Sequence, residues 1–143
     1  MSMPTYADLM TENDGHTRNW NFLATEDQYR SVQRLQKDNL VVPLVGDFAG
    51  ATAIRSVGQY LKQHNAVLTV FYTSNVEQYL FQDDSNWNSF YANVRTLPLN
   101  SSSTFIRYVL SGRGTLLSSM TDVVSAYDNG RINGYYDVVE MSR

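Results

Sequence analysis

The chain of 143 residues has no cysteine, two histidines and three prolines. Without thiols there is no disulfide, no thiolate nucleophile and no cysteine zinc site, and redox compartment cannot be inferred. His16 and His64 have no third histidine to join them, so a zinc site would need carboxylates, and no spacing suggests one. Charged residues make up 17%, below the typical share of about 25%. The net charge of −3, with no Lys/Arg cluster, argues against a nucleic-acid surface and disfavours an anionic membrane as partner. No apolar run approaches the roughly 20 residues that span a bilayer, and Met1-Ser2-Met3-Pro4-Thr5 has neither the basic flank nor the apolar core of a leader. The expectation is a soluble, cytoplasmic protein.

What is present is apolar and aromatic: 43% hydrophobic residues, with ten Tyr, six Phe and two Trp. A chain of this size suits one domain, 1–143, that buries roughly two thirds of its unfolded surface. Residues 1–24 read as a peripheral segment, a turn of helix around Tyr6, Leu9 and Met10 and then a polar loop. Thr25-Glu26-Asp27-Gln28 has capping-box spacing and is followed by the stripe Tyr29, Val32, Leu35, which predicts a helix from about Glu26 to Asp38.

Two apolar runs, Leu40 to Val45 and Ala66 to Tyr72, each end in small and polar residues where a helical pattern begins. This is the pattern of buried parallel strands delivering loops to a sheet's carboxyl edge, where open α/β sheets bind ligands. Between them Ile54, Val57, Gly58 and Leu61 keep helical rhythm, so the segment predicts a right-handed β-α-β unit, with Pro43 as a missing ladder donor. Ser74-Asn75-Val76-Glu77 is a second capping-box match. Trp87, Phe90, Tyr91 and Val94 form a helical stripe that stops before Pro98. The pattern further predicts a strand from Thr104 to Leu110, a helix carrying Leu116, Leu117, Met120, Val123, Val124 and Tyr127, and a last strand from Tyr135 to Glu140 after two Asn-Gly turns. The resulting fold class is α/β, a Rossmann-like partial parallel sheet of about four strands with helices on both faces.

The stretch Val42-Pro43-Leu44-Val45-Gly46-Asp47-Phe48-Ala49-Gly50, then Gly58-Gln59-Tyr60-Leu61-Lys62, then Phe71 to Phe81 with its Ser-Asn-Val-Glu-Gln-Tyr-Leu string, and finally Ser103-Thr104-Phe105-Ile106-Arg107, resembles an uncharacterised bacterial family related to S-adenosylmethionine-dependent methyltransferases. The resemblance covers roughly Tyr6 to Arg107. It implies a methyltransferase-like fold of which this chain looks like the C-terminal half. The strand ending in a Gly-Val-Gly-Pro-type turn and the second strand ending in an acidic residue, which in that family would hold the cofactor, have no counterpart here. S-adenosylmethionine is therefore implied by resemblance only, and the binding turn is absent from the sequence.

The candidate ligand-binding residues lie at the two switches and on one strand. Gly46 and Gly50 permit close backbone approach, Phe48 lies between them, and Asp47 can accept hydrogen bonds from an amine or a hydroxyl; the same residues also make an ordinary turn with Asp47 as a helix cap. Asn75, Glu77 and Tyr79 stand at the second switch, where capping accounts for Ser74 and Glu77 better than for Asn75 and Tyr79. Arg107 lies among apolar residues in a predicted interior strand and requires a carboxylate, Asp47 or Glu77, or an anionic ligand. No catalytic residue can be nominated, since no Gly-x-Ser-x-Gly elbow selects a serine. Three readings stay open: a methyltransferase-like half-domain that works as a homo-oligomer or with a partner polypeptide, a small enzyme acting on a small molecule at the sheet's carboxyl edge, and a structural subunit with no chemistry.

Overall fold

The computed structural model describes residues 5–109 and 114–142 and divides the chain into two compact units, Met1–Leu44 and Val45–Arg143. The first unit holds α1 (Tyr6–Thr11) and α2 (Glu26–Lys37), neither of which buries a residue. α1 starts in a reciprocal cap: the Thr5 hydroxyl accepts from the Asp8 amide at 3.2 Å and the Asp8 carboxylate accepts from the Thr5 amide at 2.8 Å. At α2 the Thr25 hydroxyl accepts from the Gln28 amide, as the capping-box spacing predicts. The helix stops because Asn39 takes a left-handed conformation, φ 55°, which turns the Leu40 amide back onto the Leu35 carbonyl at 2.8 Å.

The second unit contains α3 (Ala53–Gln63), β1 (Val70–Ser74), α4 (Val76–Leu80), α5 (Asp84–Val94), β2 (Thr104–Val109), β3 (Gly114–Ser119), α6 (Met120–Asp128) and α7 (Tyr135–Glu140). α3 and α6 end by the device that closes α2. Asn65 at φ 51° lets the Ala66 amide reach Leu61, and Gly130 at φ 64° lets the Arg131 amide reach Ala126. α5 is capped by the Asp83 carboxylate, which accepts from the amides of Ser85 and Asn86.

The sheet has three strands in the order β1-β2-β3, with β1 parallel to β2 and β2 antiparallel to β3. Alternation along β2 separates its faces. Phe105, Arg107 and Val109 are buried, whereas Thr104, Ile106 and Tyr108 are half-buried or exposed. On the buried side Phe105 stacks on Phe71 of β1, ring centroids 5.7 Å apart, and joins one core with Ile54 of α3, Trp87, Phe90, Tyr91 and Val94 of α5, Met120, Val123 and Ala126 of α6, and Val138 of α7. Fully burying side chains of this size contributes about 1.5–3 kcal/mol each, which makes this layer the main source of stability.

The architecture is thus mixed α/β, but it departs from the expected four parallel strands. Leu40 to Val45 is exposed and belongs to no strand, so the predicted β-α-β crossover from it is not formed. An apolar run gains a strand's free energy only when a neighbour supplies ladder hydrogen bonds and cover, and no described strand pairs with these residues. Leu116 and Leu117 lie in β3, because Gly114 at φ 67° and antiparallel pairing of Arg107 with Leu116 and Ile106 with Leu117 put them in a ladder. The predicted last strand, Tyr135 to Glu140, is instead α7. Asp137 accepts from the amides of Asn133 and Gly134 at 2.7 and 3.0 Å, which nucleates a helix, and Val138 and Val139 are buried by it. Leu110, the expected end of the strand beginning at Thr104, lies outside the described residues.

Candidate functional site

Two of the sequence candidates, Glu77 and Arg107, meet in the fold. β1 ends in an irregularity: pairing with β2 shifts between Tyr72 and Ser74, so Thr73 is the extra residue, and Ser74 sits at φ 51°. After that kink the chain enters α4, and Glu77 lies on the buried face of the sheet, against Arg107 of β2. The Glu77 Oε2 atom accepts from Arg107 Nε at 2.5 Å and Oε1 accepts from Nη2 at 3.0 Å, with each side chain about 1% exposed. Tyr91 on α5 donates to Oε1 at 2.5 Å, and Thr73 donates to Oε2 at 3.1 Å. Nη1 of Arg107 donates to the hydroxyl of Ser118 on β3 and, at 3.5 Å, to that of Ser142. The guanidinium carbon lies 4.4 Å from the centroid of the Phe105 ring.

The electrostatics follow from this geometry. Burial pushes the Tyr91 hydroxyl well above its ordinary value, and the Glu77 charge beside it pushes the same way, partly offset by Arg107. For Arg107, burial alone would lower the value, but the attraction and hydrogen bonds of Glu77 outweigh it and hold the guanidinium charged. Half-buried Tyr135 is raised too, by desolvation first and by Glu77 second. Each Glu77 oxygen accepts two hydrogen bonds, and a carboxylate offers about four lone-pair positions. With all of them taken, Glu77 has no position left for a substrate proton. The cluster ties β1, α4, α5, β2 and β3 together and has the character of a fold-fixing ion pair.

The other candidates stand apart from this cluster. Asp47 is exposed and closes its own turn, its carboxylate accepting from the Ala49 amide at 2.9 Å while its carbonyl accepts from the Gly50 amide. Arg107 therefore pairs with Glu77 and not with Asp47. Phe48 is half-buried and points into the core, stacked on Phe71 at 6.3 Å. Gly46 is required sterically, since a Cβ there would stand 2.3 Å from the Cβ of Ala53. Asn75 is the N-cap of α4 and makes no side-chain cap bond, and Tyr79 is exposed on the same helix. The predicted capping box is not made, because Ser74 is in the left-handed region and Glu77 is bound elsewhere.

Four residues that the sequence does not mark as site residues hold these pieces in place. Thr73, Tyr91 and Ser118 complete the ion pair. Asn93, about 1% exposed, donates to the carbonyls of Phe48 and Gly50 at 3.3 and 2.8 Å and accepts from Arg55 Nε at 2.7 Å, which fixes the 46–50 turn against α5. Tyr91 was legible as a member of the α5 stripe but not as a donor. Asn93 gave no local signal, since the carbonyls it serves lie 43 and 45 positions away.

Among the described residues no group of three His, Asp or Glu could hold a metal, and no helix is long and apolar enough to cross a membrane. Fold and site together define an α/β protein with a one-sided three-stranded mixed sheet, pinned at its centre by a closed carboxylate–guanidinium pair. The family profile described as "Domain of unknown function (DUF7790)" matches residues 3–131, and the chain belongs to that family. No curated protein matches the chain.

Proposed function

We propose that this chain is a methyltransferase-like, Rossmann-like module whose activity is not self-contained: it works in an assembly, as a homo-oligomer or with a partner polypeptide that covers its sheet. The observation that carries this reading is the uncovered face of the sheet. Register places Val70 and Tyr72 of β1, Ile106 and Tyr108 of β2 and Leu117 of β3 on the side opposite the core. Of these, Val70, Tyr72, Tyr108 and Leu117 are between 44% and 61% exposed. A face of this kind, carrying several large apolar and aromatic side chains in the open, marks an interaction surface. β1 is also an edge strand, a ready template for a further strand. The closed Glu77–Arg107 pair supports the same reading, because it leaves the carboxylate and guanidinium that a crevice enzyme would need already spent on each other.

The test is solution mass by light scattering across a hundredfold concentration range, paired with thermal melts with and without saturating S-adenosylmethionine. Concentration-dependent mass and stability, abolished by Leu117→Lys, support an assembly built on this face. A monomer whose melting temperature rises with the cofactor overturns it, since the chain would then bind cofactor alone.

A further inference from the structure

Among the open grooves formed by described residues of the second unit, two differ in charge. One, of about 480 Å³, is flanked by Arg95 and Asp128, which neutralise each other at 3.1 Å. The other, of about 570 Å³, is lined by Arg55, Gln59, Lys62 and Gln63 of α3 and by Thr96, and has no carboxylate in its wall. α3 as a whole, AIRSVGQYLKQ, carries two cations and no acid in a chain whose net charge is −3. Spacings of four and seven residues put Arg55, Gln59 and Lys62 along one face of that helix. Neither Arg55 nor Lys62 belongs to an ion pair among the described residues.

Arg55 is moreover held in place. Its Nε donates to buried Asn93 at 2.7 Å, a neutral acceptor that orients the guanidinium without discharging it, and its two Nη groups have no protein hydrogen bond among the described residues. Thr96 donates its hydroxyl hydrogen to the Asn93 carbonyl at 2.7 Å, so its oxygen stays oriented at the other wall of the groove. We propose that this groove binds a small anionic molecule carrying phosphate or carboxylate groups, with Arg55 as the fixed fork, Lys62 as the mobile point charge, and Gln59 and Gln63 as neutral donors. A guanidinium with free Nη groups matches the paired oxygens of both anion types.

The experiment is an amide-detected NMR titration of the full chain, first with inorganic pyrophosphate and separately with citrate. Saturable shifts confined to Arg55, Gln59, Lys62, Gln63 and Thr96 are expected with at least one of them, and which anion saturates tells phosphate from carboxylate. Lys62→Gln, at an exposed position, is expected to weaken binding about tenfold with an otherwise unchanged spectrum. Arg55→Lys, which keeps the charge but loses the fork, is expected to weaken it by a similar factor. Shifts that fail to saturate with both anions, or that both variants leave unchanged, overturn the proposal.

Discussion

Glu77 and Arg107, thirty positions apart, meet through both carboxylate oxygens inside a core from which water is excluded. Removing one member strands the other's charge, which costs about 3–5 kcal/mol, a large share of a domain's marginal stability. Urea denaturation of Glu77→Leu and Arg107→Met is therefore expected to show losses of that order. The double variant is expected to lose clearly less than the sum, because no uncompensated charge remains. Additive losses would show that the two groups do not depend on each other.

The pair's third member sets an alkaline limit. The Tyr91 pKa is raised above its ordinary 10.0 by burial first and by Glu77 second, so the folded state holds this proton more tightly than the unfolded chain. Its contribution is complete below pH 10 and declines as pH rises toward the folded pKa, with a slope of about 1.4 kcal/mol per pH unit. Unfolding curves of Tyr91→Phe between pH 9 and 11.5 are expected to fall less steeply than those of the parent, after an initial loss of about 1–3 kcal/mol at neutral pH from the missing hydrogen bond. Parallel pH profiles would remove Tyr91 from this role.

Gly46 is a steric requirement of the turn before α3. Gly46→Ala forces a contact of 2.3 Å with the Ala53 Cβ and is expected to destabilise by about 1–3 kcal/mol. Adding Ala53→Gly removes the obstructing atom and is expected to recover most of the loss, less the helix penalty of glycine. Calorimetry of both variants decides it; a second substitution that recovers nothing would place the cause elsewhere.

Asn93→Ala leaves the carbonyls of Phe48 and Gly50 without their donor and Arg55 without its tether. A loss of about 1–3 kcal/mol is expected, with faster amide hydrogen exchange at Ala49 and Gly50, because the turn is held to α5 by that side chain. Protection unchanged at those amides would show that Phe48 stacking alone is sufficient.

The exposed sheet face gives the last test at the level of residues. Tyr72→Asp changes an outward side chain of β1, so it is expected to leave the fold intact by circular dichroism and to lower solution mass or increase solubility at high concentration. An unaltered mass in an oligomeric parent would move the interface away from this face.

Local chemistry determined much of the chain without reference to the rest. The Thr25 cap, the Trp87–Val94 stripe and the β-rich run at Thr104 are each where the sequence puts them, and the left-handed Asn39 and Asn65 end their helices through contacts within a turn or so. Arg107 was legible too, as a charge that needed a buried partner. Tertiary structure decided what depended on distant neighbours. Leu116 and Leu117 became strand because β2 offered a ladder, Leu40 to Val45 stayed outside any sheet because no described strand pairs with it, and Val138 and Val139, in a helix that Asp137 caps locally, are buried because the core lies beside that helix. Glu77 has the spacing of a capping residue and is instead the counter-ion of Arg107. A local cap contributes about 1 kcal/mol, whereas leaving a guanidinium unpaired in the core costs several, and only the folded chain brings the two alternatives into competition.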